Sequence, residues 1–410
     1  MAISSAVKEA FVSHVKLLQS ESAGALDPEA SFYVGDMDDV VRKWDTLKKA
    51  LPDVTPFYAV KSNNDKGLIK TLASCGSGFD CASPYEVDLV LSLDIPVKRI
   101  IFTHPCKPAS FIEHCRKRGV RLITFDNEDE LRKIHQHYPR CHLMLRVFAD
   151  DPTNADPLGT KFGACRDDFR RIVGLVKELG MNLAGASFHA APCVAVSSKG
   201  YIKAIKDAAE VFHHAREIGL NPTILDMGGG YTDATFEEIA AGVKASGAIP
   251  DGVERLLAEP GTLFSSRPFF LAVKVMAIRK NAATFGNEPP TRLYINDGIY
   301  SSFNNKLFVS WSYTPVGVVL ENGEWHDSGH EGPFKCSLWG RTCDLNDCIN
   351  KECALDREVN VGDWLVFKDM GAYSTVCNTA FNGFTNPNHT IYVGPSEENT
   401  RKADFEPLRL

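Results

Sequence analysis

Between about residue 55 and residue 262 the chain alternates short apolar runs that end on a polar residue with longer stretches whose apolar residues recur at helical spacing. The runs are FYAVK (57–61), FDCAS (79–83), IIFTH (100–104), LITFD (122–126), LMLRV (143–147), GASFH (185–189), ILDMGGG (224–230) and LLAEPG (256–261). Stretches such as KGLIKTLASC, DDFRRIVGLVKELG and YIKAIKDAAEVFHHAREIG lie between them. Near-continuous apolar strands alternating with amphipathic helices predict a parallel sheet covered by helices. Eight such units without a reversal point favour an α/β fold closed as a (β/α)8 barrel over an open doubly wound sheet. After about residue 265 the texture changes to strand-like runs punctuated by Gly, Pro and Asn: FFLAVKVMAIRK, RLYINDGIY, SWSYTPVGVVL and DWLVF. The expected organisation is a segment over 1–36, whose SFYVGD (31–36) reads as a strand joining the later sheet, a barrel over 37–264 and an all-β domain over 265–410. The tail after Gly394 is polar and reads as loosely held.

A length of 410 residues suits a barrel plus a second unit, and 44% hydrophobic with 24% charged residues gives ample apolar surface for two cores. The net charge of -7, from 45 basic and 52 acidic residues without basic clusters, argues against nucleic acid as a partner. No run approaches the roughly 18 apolar residues of a membrane span, so no membrane association is expected. The first residues lack the apolar core of a secretion signal. The 12 cysteines show no disulfide or zinc-type spacing, which fits reduced thiols in the cytoplasm, no bound metal, and an unused sequon at Asn388.

Barrel active sites form at the carboxyl ends of the strands. There this sequence places Lys61, Asp80, His104, Asp126, Arg146, His189, the glycines 228–230 and Glu259. A partly desolvated lysine at such a mouth can form a Schiff base with an aldehyde cofactor; a surface lysine ending a strand has the same sequence signature. Gly228, Gly229 and Gly230 follow the seventh run, where barrels hold phosphate, and can either present backbone N–H groups or make a tight turn. Glu259 can face a protonated ring nitrogen or serve a loop, and His189 can stack on a planar ring or be structural. In the β domain, Cys343 beside Asp344 couples a thiol able to protonate a carbanion with a carboxylate able to receive an ammonium, although with 12 cysteines present an unreactive buried thiol is the stronger reading of these residues alone. Tyr373 and a second carboxylate, Asp297, complete the candidates.

The ordered series FYAVKSN, FDCAS, KFGA, SFH, LDMGGG, AEPG, YINDGIYSSFN, WGRTCD, VGDW and MGAY resembles the eukaryotic ornithine decarboxylase family, pyridoxal 5'-phosphate enzymes with an alanine-racemase-like barrel and a β domain. The likeness runs from about Ser31 to Phe384. It implies that Lys61 binds the cofactor aldehyde, His189 stacks on the ring and Glu259 pairs with the ring nitrogen. Gly228, Gly229, Gly230 and Tyr373 would bind phosphate, with Asp80 and Arg146 supporting the lysine. Cys343 would protonate the substrate α-carbon, while Asp344 and Asp297 would hold a distal ammonium. A homodimer with active sites shared across the interface is also implied. Two positions depart from the family pattern: Pro192 stands where a phosphate-binding serine is usual, and Thr262 where an arginine is usual. The phosphate would then rest mainly on the glycines, Thr262 and Tyr373, without a bidentate charged contact.

Three functions are compatible with this pattern. The first is decarboxylation of a basic L-amino acid, ornithine or lysine-like, as in polyamine biosynthesis. The second is decarboxylation of a bulkier amino acid in specialised, alkaloid-type metabolism. The third is a non-catalytic regulator resembling antizyme inhibitor, against which the retained Lys61, His189, Glu259 and Cys343 argue.

Overall fold

The computed structural model describes residues 3–20, 24, 26–149, 161–190, 197–282, 289–307, 312–329, 331–384, 389–395, 405, 408 and 410. Pro192 and Asn388 lie outside the described residues. The chain divides into two compact units, one of residues 1–39 and 265–398 and one of residues 40–264 and 399–410.

The second unit is a closed barrel of eight parallel strands. Counting a strand β1 (Phe32–Asp36) that belongs to the other unit, they are β2 (Val54–Ala59), β3 (Gly78–Cys81), β4 (Ile100–Phe102), β5 (Leu122–Phe125), β6 (His142–Arg146), β7 (Asn182–Ser187), β8 (Ile224–Asp226) and β9 (Arg255–Ala258). The sheet closes where Val54 pairs with Leu256 and Pro56 with Ala258. Strands buried on both faces need apolar residues at every position, which explains the unbroken runs of the sequence.

The helices follow their strands in order. After α1 (Ser5–Leu18) and the connecting α2 (Met37–Ala50) come α3 (Lys66–Cys75), α4 (Pro84–Leu91), α5 (Ala109–Arg118), α6 (Glu128–His137), α7 (Phe169–Glu178), α8 (Ser198–Glu217) and α9 (Phe236–Ser246). Side chains cap their starts: Asp65 accepts from Leu68 N–H, Ser83 from Glu86, Asn127 from Glu130 and Ser197 from Gly200. Helix α3 stops at Gly76, whose φ of 99° is a left-handed cap that side chains disfavour. In α7 the buried Phe169, Ile172, Val173 and Val176 form the stripe that lies on the barrel.

Inside the barrel, Phe57, Ile101, Leu122, Met144, Ala184, Ile224 and Leu257 form an apolar layer toward the strand starts, Leu122 and Ile224 being first residues of their strands. Phe405, Leu408 and Leu410 pack against it, and the guanidinium of Arg99, just before β4, sits 5.1 Å from the Phe405 ring centre. The tail therefore departs from the sequence expectation in two respects. Residues 399–410 group with the barrel unit rather than with the β unit over 265–410, and Phe405, Leu408 and Leu410 are held. Three apolar side chains in a polar context were enough to cover an otherwise exposed layer.

The first unit is a sheet of nine strands in which β13-β12-β16-β10-β11-β14-β15 run side by side. These are β10 (Phe269–Arg279), β11 (Arg292–Ile295), β12 (Gly317–Val319), β13 (Trp325–Asp327), β14 (Phe334–Trp339), β15 (Cys348–Leu355) and β16 (Trp364–Phe367). Strand β1 pairs antiparallel with β10 and parallel with β17 (Thr390–Val393), so SFYVGD is a strand of this sheet. Helix α1 buries Val7, Phe11, Val15 and Leu18 against Phe32, Val34, Trp364 and Val366. Antiparallel β14 and β15 form a hairpin whose loop carries residues 340–347.

Candidate active site

Lys61 lies just past the end of β2, in a single 3-10 turn over Val60–Ser62. Its Nζ is 3.3 Å from Oδ2 of Asp80, and the lysine side chain keeps 38% exposure while that of Asp80 has none. The other oxygen of Asp80 accepts from the Thr103 hydroxyl. Burial, partly offset by the Lys61 charge, pushes Asp80 up to about 7. An amine that stays accessible beside a fully buried carboxyl is placed to react without leaving its partner.

The seventh to ninth strands bring the next group together. His189 follows β7, the glycines follow β8, and Glu259 follows β9. The N–H of Gly229 donates to Nδ1 of His189 at 3.2 Å. Oε2 of Glu259 stands 3.7 Å from the same nitrogen, beyond hydrogen-bond reach. Burial keeps the His189 imidazole below its ordinary pKa. A Cβ on Gly229 would lie 2.6 Å from the Glu259 carbonyl oxygen and 2.8 Å from Cε1 of His189, so only glycine fits there. Gly228 takes φ 61° and donates to Asp226 Oδ1 at 2.9 Å. Burial, with the neighbouring carboxylate of Glu259, pushes Asp226 well above the usual carboxyl range.

Arg146 ends β6 with its guanidinium 5.3 Å from the Phe162 ring centre, and burial lowers its pKa against the pull of Glu259 and Asp126. Asp126 itself accepts from Gly163 N–H at 2.9 Å. Thr262 opens a single helical turn, Thr262–Ser265, directly after Gly261, where a Cβ would meet Ser62 at 3.0 Å. Lys61, Asp80, Arg146, His189, Gly228–Gly230, Glu259 and Thr262 thus all stand at the carboxyl ends of the barrel strands.

In the sheet unit, the thiol-bearing Cys343 is exposed on the β14–β15 loop. Beside it, Asp344 accepts from the Tyr300 hydroxyl, which holds its carboxyl below the usual range. Asp347 builds this loop: it accepts from Thr342 N–H at 2.9 Å, Thr342 Oγ1 at 2.7 Å and Ile299 N–H at 2.9 Å. Tyr373 has φ 51°, a left-handed conformation that an aromatic residue seldom adopts and that clusters at functional positions.

Asp297 is completely buried and accepts from Ser31 Oγ (2.8 Å), Gly298 N–H (2.7 Å), Ser302 N–H (2.9 Å) and Ser302 Oγ (2.8 Å). These contacts tie β1 to the loop after β11. Sequence reasoning missed Asp226, Thr103, Asp347 and Glu86, whose Oε2 accepts from Ala82 N–H at 2.5 Å. For Asp226 a signal existed, since an acidic residue inside the apolar run ILDM needs a reason to be there.

The barrel mouth gathers an accessible lysine beside a buried carboxyl, and a histidine held against a glycine turn. Comparison with known proteins gives the family. Residues 37–266 match the model of the pyridoxal-dependent decarboxylase pyridoxal binding domain. The chain is 61% identical to the amino acid decarboxylase lolD1 of Epichloe uncinata, over 98% of this chain and 99% of that one. It is 36% identical to the ornithine decarboxylase of Schizosaccharomyces pombe, covering 92% and 87% of the two chains. Among solved structures, the arginine decarboxylase of Paramecium bursaria Chlorella virus bound to agmatine superposes with a TM-score of 0.81 and 33% identity, over 93% of this chain and all of that one.

The chain belongs to the pyridoxal-dependent decarboxylase family. It is a lyase that uses pyridoxal phosphate and acts on an amino acid. The residues present fit that cofactor: an accessible amine, and buried carboxyls able to pair with a ring cation. No helix among the described residues is long and apolar enough to cross a membrane.

Proposed function

We propose that this enzyme decarboxylates a basic L-amino acid of the ornithine or lysine type. The observation that carries the proposal is the Lys61–Asp80 pair at the barrel mouth, accessible on the lysine side and buried on the carboxyl side. Lys61 is the amine that would hold the cofactor aldehyde. Bound there, pyridoxal phosphate supplies the electron sink that makes loss of carbon dioxide possible. Glu259 would keep a proton on the ring nitrogen, with Asp226, raised by burial, beside it. His189 packs on the ring face and, kept neutral by burial, adds no cation to it. Asp80 and Arg146 support Lys61. The turn over Gly228, Gly229 and Gly230, with Thr262 and Tyr373, would bind the phosphate, although Gly228 and Gly229 already give their N–H groups to Asp226 and His189. Cys343 donates the Sγ proton to the α-carbon after carboxylate loss, and Asp344, kept ionised by Tyr300, receives the distal ammonium.

We further place the enzyme in the cytosol as a homodimer in which one subunit's Cys343 loop serves the other subunit's barrel. The described cysteines are free thiols, which agrees with a reducing compartment. Mixing Lys61→Ala and Cys343→Ala proteins tests the shared site. Random re-pairing should restore about a quarter of wild-type activity, because half the dimers gain one intact site; no recovery removes the shared arrangement.

A second reading, a bulkier amino-acid substrate, is favoured by one structural finding: with Asp297 buried, Asp344 is the more accessible of the two carboxylates expected to read a distal cation. The 61% identical relative named simply as an amino acid decarboxylase agrees with it. Carbon dioxide release from ornithine, lysine, arginine and larger α-amino acids separates the two. Turnover confined to substrates without a terminal cation would remove Asp344 as an ammonium receptor and select the second reading.

A further inference from the structure

Asp80 presents its two oxygens to two different neighbours. Oδ2 stands 3.3 Å from Nζ of Lys61, and Oδ1 accepts from the hydroxyl of Thr103, a residue with no assigned role. Thr103 follows β4 directly, on the strand that pairs with β3, and its own N–H donates to the Cys81 carbonyl at 3.1 Å. That bond extends the β3–β4 ladder by one residue, so the backbone carrying the hydroxyl is fixed to the backbone carrying the carboxylate. A β-branched side chain on fixed, buried backbone has few rotamers open to it.

A hydroxyl differs from a cation as the partner of a carboxylate. It occupies one oxygen and sets the plane of the group, and it leaves the negative charge for another neighbour. The charges acting on Asp80 are Lys61 and Arg146, which favour its ionised form, and Glu86, Asp226 and Glu259, which oppose it. Among the described residues, Lys61 is the cation in ion-pair contact with it. The terminal torsion of an aspartate is broad and two-fold, so without the hydroxyl the carboxylate is free to turn away from the amine. We propose that Thr103 is a positioning residue for Lys61: by holding Oδ1, its hydroxyl sets the plane of the Asp80 carboxylate so that Oδ2 stays on the lysine amine. The pairing is a property of the protein alone; its consequence for cofactor binding rests on the reading that Lys61 binds pyridoxal phosphate.

Competitive labelling with acetic anhydride reads the Lys61 amine directly, because only an unprotonated amine reacts and a carboxylate partner keeps it protonated. Full-length apoprotein is labelled briefly at neutral pH, and the Lys61 peptide is quantified by mass spectrometry against an exposed lysine, with melting followed alongside as a control of folding. Thr103→Val keeps the side-chain shape and removes the hydroxyl; Thr103→Ala is a second removal should valine fail to fold. Loss of the hydroxyl should raise the labelling rate of Lys61 about fivefold, the scale of one hydrogen bond. Thr103→Ser should label like the wild type. Asp80→Ala should raise the rate at least as far, and Thr103→Val should add nothing in that background. A wild-type rate in Thr103→Val, or a serine variant that labels as fast as valine, overturns the proposal. So does an undiminished effect of valine on top of Asp80→Ala, since the side chain would then act through packing and not through the carboxylate. The holoenzyme separates the proposal from the reading it serves: on dialysis Thr103→Val should lose pyridoxal phosphate about fivefold more readily than the wild type. Equal retention with a raised labelling rate upholds the positioning role and removes the Lys61–Asp80 pairing from cofactor binding.

Discussion

The two ends of the barrel are built from the same eight strands and handle burial in opposite ways. Toward the strand starts the interior is Phe57, Ile101, Leu122, Met144, Ala184, Ile224 and Leu257, capped by Phe405, Leu408 and Leu410. At the strand ends, Asp80, Asp226 and Glu259 are buried with Lys61, Arg146 and His189 around them. The first end gains stability from apolar contact. The second bears the cost of burying carboxyls, offset only in part by pairing and by a retained proton. That cost buys reactivity: groups in a desolvated mouth titrate where they can exchange protons and bind a charged ligand.

The largest effect that would sharpen this contrast is on turnover. Lys61→Ala should lower kcat about a thousandfold or more without lowering the melting temperature of the apoprotein, measured by carbon dioxide release and by calorimetry. Loss of folding instead would make Lys61 part of the barrel's stability and erase the distinction between the ends. Glu259→Gln should reduce kcat about a hundredfold, since one preorganised electrostatic contact is removed. Unaltered kcat would leave its carboxylate without a role at the mouth.

The opposite end gives the opposite signature. Phe405→Ala should cost about 1–3 kcal/mol in urea unfolding, the scale for a partly buried aromatic, with kcat unchanged. A stability equal to wild type would mean that the tail contributes nothing to the closed end.

The smallest effect is in pH dependence. Asp80 is raised to about 7 in the fold from an ordinary value of 3.8. Between those values the folded apoprotein keeps a proton that the unfolded chain has released, so its contribution to stability falls as pH rises from about 4 to about 7. Asp80→Asn lacks this titration. The wild type should therefore lose stability relative to the variant across that window, and parallel curves would show that Asp80 is not perturbed.

Much of the barrel was legible because its strands are apolar throughout and its helices carry stripes, so chain order alone set out the eight units. Lys61, Asp80, Arg146, His189 and Glu259 were legible for a related reason: each closes or follows an apolar run. Asp297 closes a run in the same way, yet its oxygens are taken by Ser31, Gly298 and Ser302, partners that no local pattern announces. The tail was misread because polar neighbours diluted Phe405, Leu408 and Leu410 below any recognisable period.

The central claim is that the mouth is organised around Lys61 as the residue that binds the cofactor. Borohydride reduction of the holoenzyme, followed by digestion and mass spectrometry, tests it directly. The account predicts that the visible absorbance of the bound cofactor disappears and that a single peptide containing Lys61 gains the mass of reduced pyridoxal phosphate. The cofactor fixed on another lysine, or on none, would contradict it.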